Sequence, residues 1–166
     1  MEQILVSPIR SHEIIIGKVL PYIILAFLIG IVILLIGIFL FKVPFEGSVF
    51  LLLVLSTLYI ITALSLGLMI SIIAATQQVA MMLALIATLL PTFLLSGFIF
   101  PISSMPKILQ YITYLIPAKY YLLIIRGIIL KGSTFMQLLM PALFLGIMST
   151  ILLIISIRKF STNLER

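Results

Sequence analysis

The fold is decided by an uncharged run from Gly47 to Pro106, GSVFLLLVLSTLYIITALSLGLMISIIAATQQVAMMLALIATLLPTFLLSGFIFPISSMP. One helix of this length would be about three times as long as a bilayer is thick, because each residue adds about 1.5 Å and the hydrocarbon core measures about 30 Å. The chain must therefore fold back inside the run. Its only strongly polar point is Thr76-Gln77-Gln78, which predicts a tight turn between spans at about 49–75 and 79–100. Pro91 lies inside the span at about 79–100 and should kink it.

Two further apolar runs lie on either side of this stretch, and each is long enough for one span. The first, residues 19–41, carries no charge and ends at Lys42, after which Pro44, Glu46 and Gly47 indicate a short surface loop. The last, residues 136–157, ends at Arg158-Lys159 and a polar tail. Four spans place both termini on the same side of the membrane.

The segment from Pro101 to Phe135 differs, because prolines, glycines and basic residues interrupt its apolar runs. None of these runs can cross a bilayer, and runs of this length are typical of re-entrant or interfacial segments. We expect two short helices, near 105–115 and 118–130. The sequence therefore predicts an all-α polytopic transmembrane helical bundle, with four spanning helices and a re-entrant helical hairpin before the last span.

Composition indicates a chain that lies mainly in the membrane. Hydrophobic residues make up 64% and charged residues 8% of the 166 residues, whereas a soluble domain has about a quarter of its residues charged. We therefore expect a single transmembrane domain over residues 1–166. The net charge of +6 comes from basic residues at the ends of apolar runs, which favours contact with membrane lipid rather than nucleic acid. The chain has no cysteine, which excludes thiolate chemistry.

The sequence lacks recognisable motifs for catalysis or cofactors. None of the predicted spans contains an acidic or basic residue (Asp, Glu, His, Lys or Arg), although ion-coupled transporters usually keep one at membrane depth. Residues 127–134 resemble a phosphate loop but have Ser133 where lysine is required, and His12-Glu13 lacks the second histidine of a zinc-protease helix. We expect no catalytic residue, metal site or cofactor on this chain. Arg126 is the one candidate for a functional charge, with snorkelling to headgroups as the simpler interpretation.

Small residues recur at every fourth position in three predicted spans, a pattern typical of closely packed membrane helices. The three stripes are Ala63, Gly67, Ser71 and Ala75; Ala80, Ala84, Thr88, Thr92 and Ser96; and Ala142, Gly146 and Thr150. We expect these faces to pack within the bundle. A subunit interface or a substrate-facing wall is the alternative.

Two separated motifs resemble one family of membrane proteins. The first is Glu2-Gln3-Ile-Leu-Val-Ser7-Pro8-Ile-Arg10, followed by Glu13-Ile-Ile-Ile-Gly17-Lys18-Val-Leu-Pro21-Tyr22. The second is Leu95-Ser96-Gly97-Phe98-Ile-Phe-Pro101-Ile-Ser-Ser-Met105-Pro106, followed by Leu109-Gln110, Pro117, Tyr120 and Arg126-Gly127. In this order they resemble the type-two permeases of ATP-binding-cassette (ABC) exporters, in the multidrug-export branch. The resemblance covers the C-terminal part of the family pattern, so the chain is expected to be a fragment of a six-span permease subunit.

The resemblance implies a division of labour between this chain and its partners. Residues 1–18 would form a cytoplasmic coupling segment that contacts a separate ABC ATPase subunit, which binds ATP and Mg²⁺. The residues implied in this contact are Glu2, Gln3, Ser7, Pro8, Arg10, Glu13, Gly17 and Lys18. A second permease copy or homologue would complete a dimer in the plasma (inner) membrane of a prokaryote, with both termini cytoplasmic. Basic residues alone do not decide this orientation, because the two faces carry equal numbers.

By the same resemblance, residues 101–135 would be an extracellular re-entrant region that lines the exit of a transport pathway. The residues implied are Gly97, Pro101, Pro106, Arg126 and Gly127. A lid that only seals the bundle is the alternative. The chain as a whole is expected to be the permease component of an ATP-driven exporter and not an enzyme. A non-transporting remnant or an assembly protein is the alternative function.

Overall fold

The computed structural model describes residues 11–164, which form helices with no strand among them. The α-helices in this part of the chain are α1 (Ser11–Phe39), α2 (Val49–Ile73), α3 (Gln77–Ala84), α4 (Leu90–Leu95), α5 (Lys107–Thr113), α6 (Pro117–Lys131) and α7 (Phe135–Leu164). A π-helical turn, Leu85–Leu89, joins α3 to α4, and a 3-10 turn, Ile102–Ser104, precedes α5.

Four segments of the described chain are long and apolar enough to cross a bilayer: Leu20–Phe39, Val49–Ile73, Gln77–Leu95 and Phe135–Ser156. Helices α5 and α6 form a pair bent by 80°. The predicted fold class, an all-α polytopic bundle with four spans and a bent helical pair before the last span, is thereby confirmed. Some boundaries differ from expectation. The turn lies at residues 74–76, because Gln77 and Gln78 already belong to α3, and the third span ends at Leu95.

Local sequence signals set several helix ends. The hydroxyls of Ser48 and Thr76 cap α2 and α3 by accepting hydrogen bonds from backbone N–H groups of the first turn. Pro117 begins α6, where its missing N–H costs no helical bond. Gly132, with φ of +59°, ends α6 in the left-handed conformation. The stretch that resembles a phosphate loop is therefore the C-terminal end of a helix.

The core lies where α2, α6 and α7 meet. Its buried apolar side chains are Leu52 and Leu55 of α2, Tyr120, Ile124 and Ile128 of α6, and Leu138 and Leu145 of α7. Farther along the bundle, the Ser156 hydroxyl of α7 donates a buried hydrogen bond of 3.1 Å to the Ser65 carbonyl of α2. Close packing and interhelical hydrogen bonds hold membrane helices together, because lipid tails are as apolar as the side chains.

Helix α1 and the third span, Gln77–Leu95, lie at the edge of this core. Neither Leu20–Phe39 nor the third span contains a buried residue. Helix α1 packs along α2, whereas the third span contacts α2 beside the connecting turn and contacts α5 and α6 at its other end. We call the end of the bundle with α5 and α6 the α6 end, and the opposite end the turn end.

Candidate functional site

The loop between α1 and α2 docks on the C-terminal part of α6. The Glu46 N–H donates a hydrogen bond of 3.2 Å to the Ile129 carbonyl. Gly47 lies so close to α6 that a Cβ on it would stand 2.7 Å from Ile128 Cγ2 and overlap the Ile128 carbonyl. A Cβ on Gly132 would likewise stand 3.1 Å from the Glu46 carbonyl oxygen. Two glycines thus permit a close backbone contact, which we call the loop clasp.

A second link at the α6 end joins α6 to the segment that follows α4. Arg126 Nη1 donates a hydrogen bond of 3.3 Å to the Gly97 carbonyl. Gly97 has φ of +85°, a conformation that glycine adopts without the steric cost of a Cβ. The structure therefore brings together two residues of the predicted re-entrant region, which lie 29 positions apart.

The other residues predicted for this region occupy separate positions. Pro101 and Pro106 are exposed and flank the 3-10 turn. Gly127 is buried in α6 against α7, where a Cβ would stand 2.8 Å from Leu138 Cδ2. The contact of Gly127 is therefore with a neighbouring helix, whereas the two prolines shape an exposed turn.

A buried lysine lies in the corner between α5 and α6. Lys119 is 8% exposed, and its ammonium donates a hydrogen bond of 2.9 Å to Thr113 Oγ1 and lies 3.5 Å from the centre of the Tyr114 ring. The Tyr120 hydroxyl donates a bond of 3.0 Å to the Tyr114 carbonyl across the same corner. The hydrogen bond and the cation–π contact offset part of the cost of burying the charge. Burial lowers the pKa of the Lys119 ammonium below its ordinary value. We call this group the lysine corner.

A first cavity, the α1 groove, of about 460 Å³ lies between α1, α2 and α6. Its lining is apolar except for Ser56, Tyr59 and Tyr121. The Ser56 and Tyr121 hydroxyls lie 2.8 Å apart in a hydrogen bond, and the rings of Tyr59 and Tyr121 stack with their centroids 4.1 Å apart. These contacts tie α2 to α6 at the inner wall of the groove.

A second cavity, the α2–α4 cleft, of about 570 Å³ lies between α2 and the third span. Ala63 and Gly67 line it from α2, and Ala84 and Thr88 line it from the third span. The residues Leu115 to Ala118, at the corner of α5 and α6, bound it at the α6 end. Both cavities are lined mainly by apolar side chains, which suits the binding of apolar molecules.

The small-residue stripes do not coincide with the buried face of α2. Ala63, Gly67 and Ser71 are exposed. The buried residues of α2 lie on another face and are Leu52, Leu55, Thr62, Ser65 and Ile70. In the third span Ala80, Ala84 and Thr88 are partly exposed. Gly146 of α7 does lie in a helix contact, because a Cβ on it would stand 4.0 Å from Leu58 Cδ2 of α2.

The predicted coupling residues are mostly beyond the described part of the chain. Glu2, Gln3, Ser7, Pro8 and Arg10 lie outside residues 11–164. Three more belong to α1, namely Glu13, Gly17 and Lys18. Gly17 is exposed, and a Cβ on it would meet nothing within 4 Å. The coupling role of this segment therefore stays a prediction.

Sequence reasoning missed the lysine corner and the tyrosine stack. Lys119 looked like one of several interfacial charges, although its position between Pro117 and two tyrosines was a usable signal, since lysine over an aromatic ring can be buried at reduced cost. Tyr59 gave no signal, because it lies in an uninterrupted apolar span.

Comparisons with known proteins identify the family. The family model for ABC-2 type transporters matches residues 1–130. The probable multidrug ABC transporter permease YbhS of Escherichia coli is 37% identical over 145 residues, which are 87% of this chain and 38% of the relative. The probable multidrug ABC transporter permease YbhR of Escherichia coli is 34% identical over 134 residues, which are 81% of this chain and 36% of the relative. The chain thus spans less than two fifths of these relatives. No solved structure matches it. From the family match and the four apolar spans, the chain belongs to the ABC-2 type transporter family of membrane permeases.

Proposed function

We propose that this chain forms the C-terminal spans of an exporter permease, which works with a second permease copy or homologue and with separate ABC ATPase subunits. The observation that carries the proposal is the family match, which extends from the first residue through three spans and the bent pair almost to the end of α6. We place the chain in the inner membrane of a prokaryote, with both termini in the cytoplasm. The α6 end then faces outward.

The proposal assigns the energy source to the partner. The sequence contains no complete phosphate loop, so ATP and Mg²⁺ bind the ATPase subunit and work reaches this chain through a contact. Residues 1–18 suit that contact, because this segment is charged and proline-containing and its residues 11–18 form the start of α1. The chain itself is a permease component without an enzymatic step.

We propose a lipophilic small molecule as the cargo. The four candidate spans carry no Asp, Glu, His, Lys or Arg, and the α1 groove and the α2–α4 cleft fall within the usual size range of small-molecule pockets, about 300–1,000 Å³. The names of the two relatives, which describe probable multidrug permeases, point to the same class of cargo.

The proposal is tested by co-expressing the full chain with an ABC ATPase subunit of the same genome. ATP hydrolysis by the co-purified ATPase is measured together with ATP-dependent movement of a lipophilic fluorescent dye in inverted membrane vesicles. We expect Glu2→Gln and Glu13→Gln to weaken complex formation and lower both rates several-fold. Glu46→Gln is the matched control, because Glu46 lies at the opposite end of the bundle.

The outcomes distinguish an exporter permease from a non-transporting remnant or assembly protein. Dye movement that requires ATP and falls with the two substitutions supports the permease. A chain that inserts into membranes but neither retains an ATPase nor moves dye is the non-transporting remnant or assembly protein. Unchanged hydrolysis and complex formation in both glutamine variants would remove the coupling assignment.

A further inference from the structure

The third span is attached to the bundle mainly at its two ends. At the turn end, residues 74–76 connect it to α2, and α3 lies beside α2. At the α6 end, α4 contacts α5 and α6, and the Arg126–Gly97 hydrogen bond follows it. Between these ends no side chain of the span is buried, and the π turn makes its main contacts with its own helix. The middle of the span is therefore its least constrained part.

The middle of the span also has interrupted backbone hydrogen bonding. Pro91 has no N–H to donate, and in a regular α-helix its ring would clash with the carbonyl four residues earlier. The helix widens just before Pro91, so that the Leu90 N–H reaches the Leu85 carbonyl five positions back. The Thr88 hydroxyl donates a bond of 2.6 Å to the Ala84 carbonyl in the same region. Helices bend at proline and at π turns, and π turns are frequent at functional sites.

The middle of the span faces the α2–α4 cleft with small side chains at matched depths. At about 1.5 Å per residue, Gly67 and Ala84 each lie about 10 Å from the turn, and Ala63 and Thr88 each lie about 16 Å from it. All four residues line the cleft. Small side chains let membrane helices approach closely. Movement of the third span toward α2 would therefore bring these small side chains into contact at both depths.

We propose that the third span bends toward α2 at its π turn and closes the α2–α4 cleft. The two ends stay attached, and the π turn with Pro91 absorbs the change in backbone shape. The structure shows the open arrangement, in which the cleft holds about 570 Å³. The closed arrangement places Ala63 against Thr88 and Gly67 against Ala84. This motion is independent of the proposed function, because it needs neither ATP nor a partner subunit.

Cysteine cross-linking tests the motion directly, because the chain has no native cysteine. A disulfide requires the two Cα atoms to come within about 7 Å. The pair Ala63→Cys with Thr88→Cys is oxidised in membranes. The free thiols that remain are labelled with a maleimide polymer, and their loss is measured from the change in gel mobility. The control pair is Ala63→Cys with Leu90→Cys, because Leu90 lies at a similar depth but is exposed outside the cleft. We expect the first pair to cross-link at least fivefold faster.

Two further variants test whether the cross-linking rate depends on the π turn with Pro91 and on empty space in the α2–α4 cleft. Pro91→Ala restores a regular helix and should slow the 63–88 cross-link at least threefold. Ala63→Phe fills the cleft and should slow a Gly67→Cys with Ala84→Cys cross-link by a similar factor, which also decides the matter if Pro91→Ala does not fold. Cross-linking of the 63–88 pair no faster than the control would overturn the proposal. So would rates that neither Pro91→Ala nor Ala63→Phe changes.

Discussion

Replacement of Gly47 by alanine should loosen the loop clasp. The new Cβ would stand 2.7 Å from Ile128 Cγ2 and 3.0 Å from the Ile128 carbonyl carbon, and it would overlap the carbonyl oxygen. The neighbour is backbone of a fully buried residue, so the loop has to move away from α6. Overpacking of this kind costs about 1–3 kcal/mol, and loss of the Glu46–Ile129 hydrogen bond adds about 1 kcal/mol. We expect a total destabilisation of about 2–4 kcal/mol.

The assay is thermal stability in detergent, measured as the fraction of protein that stays monodisperse on size-exclusion chromatography after heating. For a chain of this size, about 2–4 kcal/mol corresponds to a fall in melting temperature of roughly 5–15 °C. Gly30→Ala is the matched control, because Gly30 lies in α1 with nothing within 4 Å of an added Cβ. It should leave the melting temperature unchanged or raise it slightly, since alanine favours helix over glycine. If Gly47→Ala melts together with Gly30→Ala, the loop is not docked on α6 and the reasoning fails.

Four other substitutions test the lysine corner, the Ser156–Ser65 hydrogen bond between α7 and α2, and the turn at residue 97, by the same heating assay or by dye movement. Lys119→Met should change the free energy of unfolding by less than about 1 kcal/mol, because an apolar side chain avoids the cost of burying a charge. Thr113→Val should cost about 1.5–3 kcal/mol, because it leaves that charge without its hydrogen-bond acceptor. A larger loss of stability in Lys119→Met than in Thr113→Val would contradict this account. Ser156→Ala should cost about 0.6 kcal/mol, the mean for interhelical hydrogen bonds in a membrane. Thr150→Ala is its control, because within the described residues the Thr150 hydroxyl bonds to the carbonyl four residues earlier in its own helix. Gly97→Leu should impair dye movement, because residue 97 has positive φ and a Cβ there would stand 3.2 Å from a neighbouring side chain; wild-type movement at normal membrane levels would argue against a role for this turn.

The fold was largely predictable, because length and polarity alone restrict how an apolar chain crosses a membrane. A run without charge from Gly47 to Pro106 has to turn back, and Thr76 is both its polar point and, in the structure, the cap of α3. Pro101 to Phe135 could be separated from the spans because its apolar runs are short. These inferences rest on the bilayer thickness and not on the details of packing.

The buried face of each helix was less predictable. In α2 both faces are apolar, so hydropathy does not separate the core from lipid. The small residues Ala63 and Gly67 suggested a contact face, yet Thr62 and Ser65 on another face are buried. Their hydroxyls donate to carbonyls four residues earlier in the same helix, so their burial leaves no donor unsatisfied. Which face of a helix contacts a neighbour depends on tertiary packing, and the sequence of one helix alone does not determine it.

The candidate site was predictable in part, because its contacts also depend on how the helices pack against one another. Gly97 and Arg126 were both assigned to the re-entrant region, but their hydrogen bond depends on how α6 lies beside α4. The lysine corner depends on a sharp bend that brings Thr113 and Tyr114 of one helix region against Lys119 of the next. Pro91 predicted a perturbed helix, and the structure shows that the perturbation is a π turn.

The loop clasp also has a consequence for the order in which the protein is made. Its two halves, Glu46-Gly47 and the Ile128-Ile129 backbone, lie about 80 residues apart along the chain, which a ribosome takes roughly 4–16 s to cover at about 5–20 residues per second. During that interval the α1–α2 hairpin has left the ribosome, but its docking surface does not yet exist. The α6 end of the bundle can therefore be completed only after α6 has been synthesised, and the early hairpin has to wait in the membrane, or against the insertion machinery, with its loop unpaired.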